Sequence, residues 1–374
     1  MRSPSWPPRS TETDPMVALT DPAALDAPAP PDRLARARRL HLWLALGLVA
    51  ISFASLTVGA TGVQLLDVVR SLARGEELSR MEQVVLLDIR LPRLVMGLAV
   101  GAALAVSGAV MQGLFRNPLA DPGIVGVSAG AGLGAILAIV LGGLLAPALL
   151  GLAGGHLVPL AAFFGGWIST LLLYRVATRR GQTSVATMLL AGIALAALSG
   201  AVSGVLVYMA DDTQLRDLTF WGLGSLAGAS WTKLAAALPI LLIAVSGAML
   251  LGRSLNALAL GEATAAHIGI PVQRMKRLAI LCVAAATGAA VAVSGGIGFI
   301  GIVVPHLLRL ASGPDHRALL PNAALLGAAL LVGADMISRS VVAPAELPIG
   351  IVTAVLGAPV FLWILLRQRG VVDL

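Results

Sequence analysis

Apolar runs long enough to cross a bilayer recur along almost the whole chain, separated by short polar turns. A helical span needs about 20 mostly apolar residues. Runs near 42–61, 93–112, 123–146, 157–174, 185–209, 233–252, 277–294, 298–311, 322–338 and 347–366 meet or approach that length. The run at 298–311 is too short for an ordinary span. None alternates in polarity as barrel strands do, so the pattern predicts an all-α integral membrane protein of about ten transmembrane helices, one of them short or broken.

The turn between the second and third runs is the most sharply specified. Arg116-Asn117-Pro118-Leu119-Ala120-Asp121-Pro122 forbids a continuous helix through its prolines. Asp121 fits an N-cap with Pro122 as the first helical residue, which predicts that a helix restarts at once. Gly126, Gly130 and Gly134 then recur at the spacing that lets two membrane helices touch backbone to backbone. Such an element can close a pore; an ordinary inter-helix loop is the alternative.

Residues 1–40 break the apolar pattern. They are rich in Pro, Asp, Arg and Ala and read as a disordered cytoplasmic tail ahead of a polytopic domain over 41–370. A signal peptide fits poorly. Its basic run, Arg33, Arg36, Arg38 and Arg39, lies far into the chain, and no small-residue cleavage site follows the apolar stretch. Composition agrees with the membrane reading: 57% of residues are hydrophobic and 12% charged, against roughly 25% charged in an ordinary soluble domain. The mean hydropathy is +0.90.

With the N-terminus inside, Arg116, Arg175, Arg179, Arg180, Arg253, Arg274, Lys276, Arg277, Arg317, Arg367 and Arg369 all fall in cytoplasmic segments. That obeys the positive-inside rule and places both termini in the cytoplasm. The net charge of +7 therefore reports orientation, not nucleic-acid binding. Arg70, Arg74, Arg80, Arg90 and Arg93 are the exception, clustering on the outer side.

Several chemistries are missing. The only lysines, Lys233 and Lys276, follow no phosphate-cradling glycine loop, so the chain does not hydrolyse ATP in the P-loop manner. Cys282 is alone, which excludes an intramolecular disulfide, and the scattered histidines offer no metal-ligand spacing. Asp335 is the clearest intramembrane acid and a functional candidate by default. Its simpler reading is a pair with Arg339 one helical turn on.

Ala102-Ala103-Leu104-Ala105-Val106-Ser107-Gly108 recurs as Ala289-Ala290-Val291-Ala292-Val293-Ser294-Gly295, in spans of opposite direction. That suggests the inverted repeat of transporters, although seven residues in an Ala/Val-rich chain can recur by chance. The glycines Gly295, Gly296, Gly298 and Gly301, with Pro305, then mark broken helix, tolerated at membrane depth where it is buried in protein or lines a cavity.

The segment at about 254–273, between the sixth and seventh spans, predicts one short helix bracketed by Gly261 and Gly269-Ile270-Pro271. Glu262 stands at its start, where the helix dipole favours an acid. Ala263, Thr264, Ala265 and Ala266 are small enough for it to enter a groove on another protein. An amphipathic turn resting on the bilayer is the alternative.

These residues resemble the FecCD-type permease family of ABC importers for iron-siderophores, haem and vitamin B12. The resemblance rests on Ile89-Arg90-Leu91-Pro92-Arg93, Gly101 to Gln112, Asn117 to Pro122, Leu260 to Gly269, Gly298-Phe299-Ile300-Gly301, Asp315-His316-Arg317 and Ala345-Glu346-Leu347-Pro348, in order from about 89 to 360. It implies a ten-helix subunit paired with a second copy of itself, the substrate path running between the copies. Two cytoplasmic ATPase subunits, which carry the ATP and Mg, dock below, and a periplasmic substrate-binding protein docks above. No cofactor or metal is expected on this chain. By the same resemblance Gly261, Glu262, Ala263, Thr264, Ala265 and Gly269 couple to the ATPase. Asn117, Pro118 and Leu119 match one cytoplasmic gate, and Gln182, Thr183 and Ser184 lie near a second, in a loop about two residues longer than in cobalamin-type members. Arg90, Arg93 and Arg339 match arginines that meet acids on the binding protein. The stretch from Gln112 to Gly123 looks nearest to haem importers, so the expected function is haem import across the bacterial inner membrane by alternating access. Siderophore or cobalamin import is the alternative, as is ion-coupled secondary transport, for which the spans lack carboxylates.

Overall fold

The computed structural model describes residues 33–58, 68, 70–71, 73–145 and 154–372. Among them, eight helices are long and apolar enough to cross a membrane, and the shorter apolar stretches Ile300–Ser312 and Ile349–Trp363 complete the series of ten runs. Helix α1 is Arg33–Thr57. A turn at Arg80–Gln83 and a π-helical stretch, Val84–Arg90, lead into α2, Leu91–Phe115. Then follow α3 (Val127–Leu141), α4 (Leu157–Ala177), α5 (Val185–Met209), α6 (Asp212–Leu223) and α7 (Trp231–Met249). The short helices α8 (Gly252–Ala259) and α9 (Glu262–His267) precede α10, Val272–Ser294. Last come α11 (Ile300–Ser312), α12 (His316–Ser338) and α13 (Ile349–Val372).

The N-terminal boundary differs from the one expected. Residues 33–40 belong to α1 and not to the tail, whose remainder lies outside the described residues. Leucine and alanine favour helix there. Ala37 is also buried, and its carbonyl accepts from Asn322 Nδ2 on α12 at 3.5 Å. His41 Nδ1 meets Asn322 Oδ1 at 2.8 Å, pinning the same helix.

Helices α2 and α10 form the centre, with 78% and 72% of their apolar windows buried. These are the two helices that carry the sequence repeat. The copies part at their last residue: Gly108 stays helical against Gly301, whereas Gly295 ends α10 at φ 70°. Small residues permit the packing. A Cβ on Gly101 would overlap the Gly327 carbonyl of α12, and one on Gly134 would overlap the Ala161 carbonyl of α4. The glycine stripe of α3 thus meets α4 as its spacing predicts.

The short eighth span is real. Residues 295–299 are non-helical, α11 begins only at Ile300, and Phe299 has φ 68°. Backbone groups at the break are bonded to the α6 end: Ser225 N donates to Ser294 O at 2.7 Å and Gly296 N to Trp221 O at 3.4 Å, while Ile349 N donates nearby to Gly224 O at 3.1 Å. This break lines a cavity of about 350 Å³ together with Asp121, Trp221, Thr287 and Phe299.

Candidate functional site

Two polar assemblies lie at opposite ends of α2. At its Phe115 end the turn to α3 starts with Arg116 in the left-handed region, φ 50°. Asn117 Oδ1 accepts from Leu119 N at 2.9 Å, and Asn117 and Pro118 are exposed. Asp121 caps as expected, its Oδ1 accepting from Gly123 N at 2.7 Å. The helix it starts is a 3-10 turn, Pro122–Val125, and α3 begins only at Val127 because Gly126 turns left-handed. Burial pushes the Asp121 carboxyl above its ordinary value, opposed by the Gly123 bond.

Between α4 and α5 the longer loop forms a hairpin that the apolar pattern does not reveal. Strand β1 (Thr178–Arg179) pairs antiparallel with β2 (Gln182–Thr183). Its turn residues, Arg180 at φ 51° and Gly181 at φ 77°, both occupy the positive region that a two-residue primed turn demands. Ser184 then caps α5, accepting from Thr187 N at 3.2 Å. The expected gate residues Gln182, Thr183 and Ser184 are therefore one strand and one cap.

Helix α9 is the single short helix predicted between Gly261, at φ 107°, and Gly269, at φ 85°. Ala265 is fully buried and seats it, while Glu262, Ala263, Thr264 and Gly269 are exposed. Leu260 and Ile268 flank it as exposed apolar residues. A cleft of about 560 Å³ runs alongside, lined by Glu262, Ala263, Ala266, Arg274 and Arg277. A wider one of about 1000 Å³ separates α9 from the hairpin, lined by Arg179, Arg180, Gln182, Thr183, Glu262 and Gln273.

Lys276 joins these parts. The apolar pattern predicts a charge in a cytoplasmic loop, but Lys276 sits in α10 and is 2% exposed. Its Nζ donates to Glu262 Oε1 at 2.7 Å and to Thr183 O at 2.9 Å. Gln273 Oε1 accepts from Thr183 N at 2.9 Å, so both backbone groups of Thr183 are held by α10. Lysine at the head of an apolar helix was the available signal.

At the Arg93 end the three arginines expected to face a partner turn inward, each nine-tenths or more buried. Arg93 Nε donates to Asp335 Oδ1 at 2.9 Å, while Nη1 and Nη2 grip Glu346 at 2.8 and 2.9 Å. Arg339 Nη2 donates to Ser55 Oγ at 2.8 Å and Nη1 to Val58 O at 2.8 Å. Its Nε lies 3.2 Å from Asp335 Oδ2, the helical pair read from the sequence. Arg90 Nη1 donates to Leu56 O. Arg93 holds the half-exposed Glu346 carboxyl below its ordinary value against the opposing effect of burial.

Among the described residues no cluster of His, Cys, Asp and Glu is disposed to hold a metal ion. Buried Cys282 packs against Gly247 as a small residue.

Among the described residues, eight membrane-length apolar helices, two shorter ones and an exposed short helix at one end agree with one family comparison. The FecCD transport family matches residues 47–367. The chain belongs to that family. Among curated relatives, the hemin transport system permease protein HmuU of Yersinia pestis is 50% identical over 76% of this chain and 83% of its own length. The vitamin B12 import system permease protein BtuC of Klebsiella pneumoniae is 43% identical over 89% of this chain and 96% of its own. The fold is similar to that of a solved structure described as an inward-facing conformation of a metal-chelate type ABC transporter. It superposes at TM-score 0.77 with 31% identity, covering 88% of this chain and 99% of that one. The protein is accordingly a multi-pass membrane permease subunit of the ABC-importer class, a transporter and not a catalyst.

Proposed function

We propose that this chain is the translocating subunit of a binding-protein-dependent haem importer of the bacterial inner membrane, driven by ATP hydrolysis on separate subunits. The observation that carries the proposal is α9. It is an exposed helix seated by one buried alanine, beside open clefts, on a chain with no phosphate-binding loop of its own.

In this reading two ATPase subunits, holding ATP and Mg, receive the α9 segment from Gly261 to Gly269. The positive-inside pattern puts that end, and both termini, in the cytoplasm. Exposed apolar residues of α5, among them Leu190, Ile193, Leu198 and Val205, face lipid or a second copy of the chain. The substrate path then runs between the copies, with Asn117-Pro118-Leu119 and Gln182-Thr183-Ser184 as cytoplasmic gates. The periplasmic binding protein docks where Arg90, Arg93 and Arg339 converge. The half-exposed Glu346 is the seam at which an incoming carboxylate competes for Arg93. Each ATP-driven movement can bias the outward and inward states only by its differential affinity for them.

Haem is favoured as cargo by the 50% identity to a hemin permease. The test uses proteoliposomes containing this chain, its ATPase and its binding protein, with haem and cobalamin supplied separately. ATP-dependent accumulation of haem supports the proposal. Accumulation of cobalamin alone would replace the substrate, and accumulation of haem by the chain without its ATPase would overturn the mechanism.

A further inference from the structure

Resting on the reading of α9 as the motor contact, we infer that Lys276 is the strut that delivers movement of α9 to the gate hairpin. The geometry is specific. One ammonium group is bonded at once to a side chain of α9 and to a backbone carbonyl of β2, at 2.7 and 2.9 Å. Two of its three donors are thereby committed to groups on opposite sides of a cleft of about 1000 Å³.

Burial makes the link stiff. An ammonium this deep is costly to leave unpaired, and a buried pair broken on one side is strongly destabilised. When α9 shifts, Glu262 therefore draws Lys276 along, and Lys276 draws Thr183. The hairpin has little freedom to lag, since Gln273, one turn before Lys276, holds the Thr183 amide. Ser184 follows directly and caps α5, so a displaced β2 also displaces the start of that span. The other end is free to move: α9 is bracketed by positive-φ glycines and only Ala265 is buried within it. The Glu262 side chain is 44% exposed, so little packing opposes the pull.

Lys276 is on this account a positioning residue. It touches neither cargo nor nucleotide, so its effect belongs in the ratio of transport to hydrolysis. The test takes the complete complex in proteoliposomes and compares Lys276→Met, Lys276→Arg and Glu262→Gln with the natural chain. Three quantities are read: ATPase retained on affinity purification, ATP hydrolysed, and haem accumulated per ATP. The expected result is retained ATPase in Lys276→Met and Lys276→Arg, with haem per ATP lowered roughly tenfold in Lys276→Met and in Glu262→Gln, a size usual for coupled sites. The double variant should be no worse than either single one, and Lys276→Arg should recover most of the ratio. A natural haem-to-ATP ratio in Lys276→Met, or fully additive losses, overturns the inference. If Lys276→Met fails to fold, Lys276→Gln, which keeps a donor at that position without the buried charge, decides by the same ratio. If the natural chain itself retains no ATPase, it is the reading of α9 that fails.

Discussion

Arg93 illustrates how far a residue's type and position carry. The charge pattern set it in a basic cluster on the outer side, and the family pattern assigned it to an outside partner. Its guanidinium is in fact shared between Asp335 and Glu346, whose sequence distances of over 240 residues no local pattern spans. Asp335 with Arg339 was legible because one helical turn separates them. Arg93→Ala should cost about 3–5 kcal/mol, the usual penalty for removing one partner of a buried ion pair. Denaturant titration of the detergent-solubilised protein measures it, and a loss below 1 kcal/mol, the worth of a surface pair, would place Arg93 outside the stabilising network. Glu346 carries a pH dependence of known sign. Its carboxyl is depressed below its ordinary value of 4.5 by Arg93, so its contribution is present above that value and fades as pH falls through the depressed one. The melting temperature of the natural protein should therefore drop below pH 4.5. Glu346→Gln should start lower at neutral pH and lack that component of the fall.

Among elements, the apolar runs predicted nearly every span because membrane burial is written residue by residue in hydropathy. The short helix α9 was legible for a different reason, its flanking glycines. The hairpin between α4 and α5 escaped notice: Thr178-Arg179 and Gln182-Thr183 are too short for a strand period to register. Only Arg180-Gly181 hinted at it, and glycine after arginine is weak turn evidence. The turn now makes a firm demand. Gly181→Val would force a β-branched side chain to φ 77°, at a cost of order 1–3 kcal/mol. The hairpin should loosen, seen as faster tryptic cleavage after Arg179 and Arg180 and as poorer haem accumulation. Unchanged cleavage would show that the turn tolerates the substitution.

At the scale of the molecule, orientation and packing come from separate sources. Charge in the turns sets which end faces the cytoplasm, and this predicts that a C-terminal tag on the chain in inner-membrane vesicles is digested only when the cytoplasmic side is open to protease. Digestion from the periplasmic side would invert the assignment. Packing comes from small residues, and its three-dimensional pattern could not be read from spacing alone. Gly295 and Gly296 abut the carbonyls of Trp221 and Gly222 on α6, and Gly350 abuts that of Leu223. The ends of α6, α10 and α13 thus meet bare main chain to bare main chain, without interlocking knobs. A joint of that kind is a riveted seam, fastened by Ser225 N to Ser294 O and Ile349 N to Gly224 O, and a single added methyl would wedge it open.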